Sequence, residues 1–250
     1  MAFAVKFADF TIDYVTSLRH ELRSNYTLDT FARRDGGLGP LRAPVPPRDI
    51  SIAGKYFGDS AAALDSYFDN LKAKLYRTGR GKLYIKDNNR YVNAHISGYN
   101  DQDVAQELPG LCKPFAFQFT CDDPFEYDGQ SQSELNQNVT SSPFDVACVN
   151  NGSFETPALI EVKALGSDVT DIKIYNTTTG LYLRYSGTIT AGATLTIDCA
   201  DQSAILGGTD VLSLITGTLE IYLHPGSNNI RYEGPTTGID LNVVWLERWL

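Results

Sequence analysis

The stretch that decides how this chain folds is Phe115-Ala-Phe-Gln-Phe-Thr-Cys-Asp-Asp-Pro-Phe-Glu-Tyr127. Its first three phenylalanines alternate with alanine, glutamine and threonine, and this two-residue period is typical of a strand with one buried face. Cys121 continues the buried face, and Pro124 ends the strand because proline has no N–H to donate to a sheet. Since residues 128–138 are polar, we expect this strand to close a first domain and a linker or an exposed edge to follow it.

Upstream of this strand the sequence predicts several strands and a helix. Loose alternation over residues 9–34 favours one or two strands, and residues 49–54 favour another. Residues 82–86 and 90–96 predict a β-hairpin. The helix begins after Asp59 or Ser60, ends at Gly79 and has an apolar stripe formed by Leu64, Tyr67, Phe68, Leu71 and Leu75. The first domain is therefore of the α+β class, with one helix on a mostly antiparallel sheet.

From residue 158 onward the pattern contains strands only. Turn residues at 176–180 and at Gly207-Gly208 separate alternating apolar segments. Those segments lie at 160–164, 172–174, 181–185, 194–198, 219–223 and 239–245. Short strands spaced in this way between turns indicate an all-β sandwich or jelly roll.

The composition excludes several classes of function. The chain has 250 residues and a formal net charge of −9, with 16 basic and 19 acidic side chains in residues 1–150 and 5 and 11 in residues 151–250. Neither part carries the basic surface that nucleic-acid binding requires. No apolar run is long enough to cross a bilayer, and the N-terminal residues lack the pattern of a secretory signal, so we expect no membrane partner.

Residues that perform catalysis or bind metals do not cluster in the sequence. The three histidines have no cysteine or carboxylate at ligand spacing. Asp122 and Asp123 suggest a general acid and base or a calcium ligand pair, but turn chemistry is favoured because adjacent strand residues point to opposite faces. Free thiols are favoured over disulfides for Cys112, Cys121, Cys148 and Cys199. We expect no catalytic activity, no cofactor and no metal.

Tyr182 and Tyr185 raise a binding hypothesis. Exposed aromatic side chains on a jelly roll stack on sugar rings or contact another protein. The alternative is packing inside the core or between domains, and the strand alternation around Trp245 favours this alternative.

Ten short segments, taken together in their order and spacing, resemble the distal tail protein family of long-tailed bacteriophages, the siphoviruses. None of them is specific alone, but together they cover most of the chain. In the first part they are 48–54, 71–75, 81–84, 89–92 and 117–125, and in the second part 151–152, 172–180, 192–198, 224–230 and 241–248.

The resemblance implies a fold for each part of the chain. Residues 1–132 are expected to form a tail-tube-like domain, a β-sheet or split barrel with one helix, and residues 247–250 to return and complete it. Residues 133–148 are expected to be a linker. Residues 149–246 are expected to form a galectin-like jelly-roll sandwich.

The same resemblance implies a structural role at the virion tail tip, after assembly in the host cytoplasm. The first domain is expected to form a homo-hexameric ring between the tail tube protein and the tail-tip hub protein. The second domain is expected to offer an attachment point for receptor-binding or side-fibre proteins. DNA is expected to pass through the channel without specific binding, which suits an acidic chain.

The loop 33–48 is the predicted ring interface. Three glycines and four prolines exclude a helix or a central strand. Ordering sixteen residues costs about 1–2 kcal/mol each, whereas each buried aliphatic side chain returns only about 1.5–3 kcal/mol. A neighbouring subunit would add apolar area and acidic partners. The candidate residues are Arg33, Arg34, Leu38, Leu41, Arg42, Val45 and Arg48.

Two other interpretations remain open at the level of the sequence. One is a carbohydrate-binding β-sandwich module attached to an accessory domain, with Tyr182 and Tyr185 on its binding face. The other is a secreted glycosidase or lectin with disulfides, which four free thiols would exclude.

Overall fold

The computed structural model of the chain describes residues 3–22, 45–85, 89–100 and 112–250. The chain divides into two compact units, Met1–Glu126 and Tyr127–Leu250. The first unit contains a helix and a curved antiparallel sheet, and the second consists almost entirely of strands.

The described part of the first unit contains one helix and six strands, and a seventh strand of two residues follows them. They are β1 (Phe3–Phe7), β2 (Phe10–Leu22), β3 (Arg48–Phe57), α1 (Ala61–Thr78), β4 (Arg80–Tyr84), β5 (Tyr91–Asn100), β6 (Cys112–Cys121) and β7 (Glu126–Tyr127). The predicted α+β class is therefore observed. β1 was not predicted, although Val5 and Phe7 in it are fully buried.

The first six strands pair in a closed antiparallel cycle. β4 is bonded to β1, which is followed in the sheet by β2, β3 and β6. The cycle closes through β5, which pairs with β4 up to His95 and with β6 from His95 onward. Closure gives each of these strands two bonded neighbours, which removes the unpaired edges of an open sheet.

The strand β6 provides much of the apolar core of this unit, as its sequence predicts. Phe115, Phe117, Phe119 and Cys121 are all buried. The rings of Phe119 and Phe7 lie 5.1 Å apart, and those of Phe115 and Phe117 lie 5.4 Å apart. The strand ends at Cys121, before Pro124.

Both predicted ends of helix α1 are observed. The Ser60 hydroxyl accepts a hydrogen bond from the Ala63 N–H at 3.2 Å, which caps the first turn. Gly79 follows the last turn with a φ of 64°, a conformation that glycine adopts without strain. The buried stripe comprises Leu64, Phe68, Leu71 and Leu75, and Tyr67 is half-buried beside it.

The second unit is a sandwich of two antiparallel sheets. Its elements are β8 (Gln132–Val139), β9 (Phe144–Asn150), β10 (Thr156–Ala164), β11 (Val169–Asn176), β12 (Leu181–Ile189), β13 (Thr194–Asp198), β14 (Ser203–Leu206), β15 (Thr209–Asp210), a 3-10 turn (Leu212–Leu214), β16 (Ile215–Gly217), β17 (Tyr222–Leu223), β18 (Gly226–Glu233), β19 (Ile239–Trp245) and β20 (Arg248–Trp249).

One sheet has the order β15-β14-β13-β10-β19-β8, with β17 also bonded to β10, and the other has the order β16-β12-β11-β18-β9. Side chains from both sheets form a single apolar core, in which Ile160, Ile174, Ile197, Ile230 and Val243 are fully buried. The predicted all-β sandwich is therefore observed.

The linker predicted at residues 133–148 is wrong. Residues 132–139 form β8, which pairs with β19, and residues 144–150 form β9, which pairs with β18. Each is the edge strand of its sheet. An edge strand has one bonded neighbour and little buried surface, so the polar sequence of β8 gives only a weak strand signal.

The C-terminal residues contact other residues of the second unit. The Glu247 carbonyl accepts a hydrogen bond from the Asp128 N–H at 3.1 Å, and the Arg248 carbonyl accepts one from the Phe154 N–H at 3.2 Å. The completion of the first domain by residues 247–250 stays a prediction.

A fragment that begins at Tyr127 should fold independently, whereas one that begins at Val149 should not. The shorter fragment lacks β8 and almost all of β9, which removes Val139, Val146 and Cys148 from the core. We expect the longer fragment to show a cooperative thermal transition by tryptophan fluorescence and the shorter one to be insoluble or to bind a hydrophobic dye. Equal cooperativity in the two fragments would contradict this assignment of the edge strands.

Candidate functional site

The outer surface of the five-stranded sheet carries a cluster of ion-paired and aromatic side chains that are exposed or partly exposed. Strand alternation produces it: Ile172 and Ile174 of β11 point into the core, so Lys173 and Tyr175 point outward. We call this surface the tyrosine face. It comprises Asp145, Asp171, Lys173, Tyr175, Tyr182, Arg184, Arg231 and Glu233.

Two tyrosines form the aromatic part of the tyrosine face. Tyr175 of β11 and Tyr182 of β12 are direct cross-strand partners, a position that places the two Cβ atoms about 4.5–5.5 Å apart. The Lys173 Nζ lies 5.2 Å from the centroid of the Tyr175 ring and 4.8 Å from that of Tyr182. One ammonium therefore contacts both rings at cation–π distance.

Each cation of the tyrosine face is paired with a neighbouring carboxylate. Arg184 donates to Asp171 through Nε at 2.5 Å and Nη2 at 2.6 Å. Arg231 donates to Asp145 through the corresponding atoms at 2.7 and 3.0 Å. The Lys173 Nζ lies 3.7 Å from the Glu233 Oε2. The two bidentate pairs fix the planes of both guanidinium groups.

The position of Asp171 depends on an irregularity in β11. The pairing register between β11 and β12 shifts between Thr170 and Ile172, and Asp171 has a φ of 55°. A bulge of this kind redirects a side chain, and aspartate tolerates positive φ better than most residues. The Asp171 carboxylate thereby lies against Arg184, and the hydrogen bonds from Arg184 lower the Asp171 pKa.

The structure corrects the hypothesis for Tyr185. Its side chain is only 1 % exposed and belongs to the sandwich core, and burial raises the pKa of its hydroxyl. Gly187 makes room for it, because a Cβ at that position would lie 2.4 Å from the Tyr185 hydroxyl oxygen. Residues three apart on a regular strand point to opposite faces, so Tyr182 and Tyr185 do not form one surface.

Tyr175 is the site residue that sequence analysis missed. The alternation of Ile172 and Ile174 already indicates that Tyr175 points outward. What the alternation does not specify is the register that places Tyr175 opposite Tyr182, which the turn between β11 and β12 sets.

The structure also corrects the role predicted for Arg48. Its side chain is buried, and Nη1 donates to the Glu126 Oε1 at 2.9 Å within the first unit. Arg48 is therefore engaged in its own chain. Val45 is half-buried in a segment without regular structure. The other five ring-interface candidates, Arg33, Arg34, Leu38, Leu41 and Arg42, lie outside the described residues.

The adjacent acids at the end of β6 have separate structural partners. Asp122 is paired with Arg80 and lies 3.9 Å from the His95 Nδ1. The Asp123 Oδ1 accepts a hydrogen bond from the Phe125 N–H at 3.2 Å, as in a local turn. The favoured turn interpretation agrees with this geometry.

The four cysteines are free thiols. Burial raises the pKa of Cys121, Cys148 and Cys199 to about 12, so these thiols are protonated at neutral pH. Across the described residues, no three His, Cys, Asp or Glu side chains are grouped in a way that would hold a metal ion. Within the same part of the chain, no helix is both long and apolar enough to span a membrane.

Comparison with known proteins relates the second unit to phage tail components. A family model described as the siphovirus-type tail component, C-terminal domain, matches residues 151–249, which lie within the second unit. The second unit is therefore similar to the C-terminal domain of siphovirus tail components.

Solved structures extend the likeness to the first unit. The Dit protein of phage SPP1, described as a paradigm of the hub adsorption apparatus in phages that infect Gram-positive bacteria, superimposes with a TM-score of 0.70 at 18 % identity over 99 % of each chain. A chain of the phage P2 baseplate, in its activated conformation with Ca, gives a TM-score of 0.41 at 8 % identity over 96 % of this chain and 90 % of that one. No curated protein sequence matches the chain. The first of these likenesses shows that the chain shares the fold of the SPP1 protein in both units.

Removing Arg48 should destabilise the first unit strongly. Arg48→Ala breaks the buried ion pair between Arg48 and Glu126, a change that costs about 3–5 kcal/mol of unfolding free energy. Arg80→Ala is the matched control, because the Arg80–Asp122 pair is more than half exposed and such pairs contribute about 1 kcal/mol or less. Urea denaturation followed by the helical circular dichroism signal of α1 measures both, and equal losses would contradict the buried-pair assignment.

The two aspartates of the tyrosine face should titrate below their ordinary pKa of 3.8, since hydrogen bonds from Arg231 and Arg184 lower the pKa of Asp145 and Asp171. Any stability they contribute is then present above pH 3.8 and is lost as the pH falls through the lower folded-state value. Carboxyl NMR titration of the full chain measures both midpoints. An Asp171 midpoint that Arg184→Ala does not raise would show that the pair is absent in solution.

Proposed function

We propose that this chain is a distal tail protein of the siphovirus type, that it is a structural subunit of a hexameric ring that joins the tail tube to the tail-tip hub, and that it catalyses no reaction. The observation that carries this proposal is the shared fold along 99 % of both chains with the SPP1 protein of the hub adsorption apparatus. The paired roles of Asp122 and Asp123 within the fold agree with it, since neither carboxylate is arranged as an acid–base pair.

The first unit is the ring-forming part in this proposal. Its closed cycle of strands with one helix fits the tail-tube-like domain that the family resemblance implies. Closure through β5 gives each of β1–β6 two bonded neighbours over part of its length, so we assign the lateral contacts between subunits to loops rather than to sheet extension.

The loop after β2 is the proposed contact with the adjacent subunit. Its candidates are now Arg33, Arg34, Leu38, Leu41, Arg42 and Val45, since Arg48 is engaged with Glu126. The chain carries a formal charge of −9, so the next subunit offers more acidic than basic partners to these arginines.

The second unit has the outward role. We propose that its galectin-like sandwich carries the attachment point for receptor-binding or side-fibre proteins, and that DNA passes through the channel of the ring without specific binding. The ring-forming part is also net acidic, with 16 basic and 19 acidic side chains in residues 1–150, which agrees with a channel that does not retain DNA.

Deletion of residues 36–47 tests the ring proposal. We expect a folded monomer in native mass spectrometry where the intact protein forms hexamers, because the inter-subunit contact is removed while β2 and β3 remain. Replacement of Arg33, Arg34 and Arg42 by glutamate should have the same effect. Arg80→Glu, a charge change outside the loop, is the control and should leave hexamers. Hexamers formed by the deletion variant would overturn the assignment of the interface.

A further inference from the structure

We propose that the tyrosine face of the second unit binds a neutral oligosaccharide. The inference goes beyond the proposed ring, because it concerns a surface on β9, β11, β12 and β18 that the ring contact does not use. It rests on the geometry of that surface alone: an aromatic pair bordered by polar groups with fixed positions.

The aromatic pair provides a platform of suitable chemistry and size. Tyr182 is 44 % exposed, and Tyr175, directly across from it on the neighbouring strand, is partly exposed. Because both side chains belong to adjacent paired strands, their positions are set by the sheet rather than by a loop. The C–H-rich face of a sugar ring packs on an aromatic ring, while the tyrosine hydroxyl remains available as a polar contact.

The charged pairs beside the platform supply donors and acceptors in fixed directions. Arg184 and Arg231 each use Nε and Nη2 for their aspartates, so each guanidinium keeps its Nη1 hydrogens for another acceptor. The carboxylates keep lone pairs that accept from hydroxyl groups. A sugar hydroxyl is both donor and acceptor, and therefore matches a surface on which fixed donors and acceptors alternate.

The charge balance favours a neutral ligand over an anionic one. Lys173, Arg184 and Arg231 are paired with Glu233, Asp171 and Asp145 respectively, so their charges cancel within the face. An anionic ligand would find no uncompensated positive charge on this surface and would be repelled by the three neighbouring carboxylates. A neutral ligand meets no such repulsion.

The same charges argue against a protein as the occupant. The buried centre of a protein–protein interface is depleted of charged residues. Tyr175 lies at the centre of the tyrosine face, between Tyr182 on one neighbouring strand and Arg231 on the other. Lys173 lies beside it on its own strand, so two of the side chains around this centre are charged. A protein that covered this centre would remove water from three ion pairs. A small hydroxylated ligand would cover only the tyrosines and would leave the surrounding ion pairs hydrated.

The distribution of basic residues points to the same surface. Residues 151–250 contain five basic side chains, and three of them, Lys173, Arg184 and Arg231, lie on the tyrosine face. This acidic unit therefore has most of its charged hydrogen-bond donors on one surface. Each of the three side chains is already held by a carboxylate, so binding a ligand costs little further side-chain entropy.

The experiment is a glycan array of neutral glucose, galactose and N-acetylglucosamine oligosaccharides, probed with the full-length protein and followed by titration of the best glycan in NMR. We expect binding, with shifts at Tyr175 and Tyr182. Tyr182→Ala should weaken it by about tenfold or more, since a stacking contact is lost. Tyr76→Ala removes an exposed tyrosine of α1 that lies 61 % exposed outside the face, and should leave affinity unchanged.

A second variant tests the contribution of the polar groups to binding independently of the tyrosine pair. Arg184→Lys keeps the charge but loses the bidentate geometry, and it should weaken binding without altering the fold of the sandwich. No binding to any neutral glycan, equal binding by Tyr182→Ala, or binding of the face to a tail protein alone would overturn the inference. Native mass spectrometry of the same samples reports ring formation independently, so loss of glycan binding with intact hexamers leaves the proposed function standing.

Discussion

Each strand of this protein must bury one face and satisfy its backbone hydrogen bonds along its edges, and most of the structure follows from how that requirement is met. In the first unit the requirement is met by closure. β5 bonds to β4 with its first half and to β6 with its second half, so the sheet returns on itself around Phe117 and Phe119. Arg48 and Glu126 then form a buried ion pair beside this core.

In the second unit the same requirement is met by stacking two open sheets, which leaves edges. β8 and β9 are each the edge strand of one of the two sheets. β9 alternates buried with exposed residues, whereas β8 buries only Val139 at its end. Val139, Val146 and Cys148 are buried, while Glu134 and Leu135 remain exposed. Polar side chains on an edge strand discourage pairing with another chain, at the expense of a recognisable strand sequence.

Cross-strand register also creates the tyrosine face. Alternation alone divides the side chains of β11 and β12 between core and solvent. The turn between the two strands places Tyr175 opposite Tyr182, and the bulge at Asp171 directs its carboxylate toward Arg184. The result is a rigid surface in which Lys173 contacts two aromatic rings and each arginine is held by a carboxylate. Side chains fixed in this way lose little conformational entropy when a ligand binds.

The sequence by itself determined the order of the two units, helix α1 with both its ends, and the buried face of β6, because each depends on a local period or a cap. Only the tertiary structure decided the ring of strands, the edge positions of β8 and β9, the burial of Tyr185, and the partners of Arg48 and Tyr182. These features join residues far apart in the chain, such as Arg48 and Glu126. A local pattern specifies which face of a strand is apolar, but not which strand lies beside it or in what register.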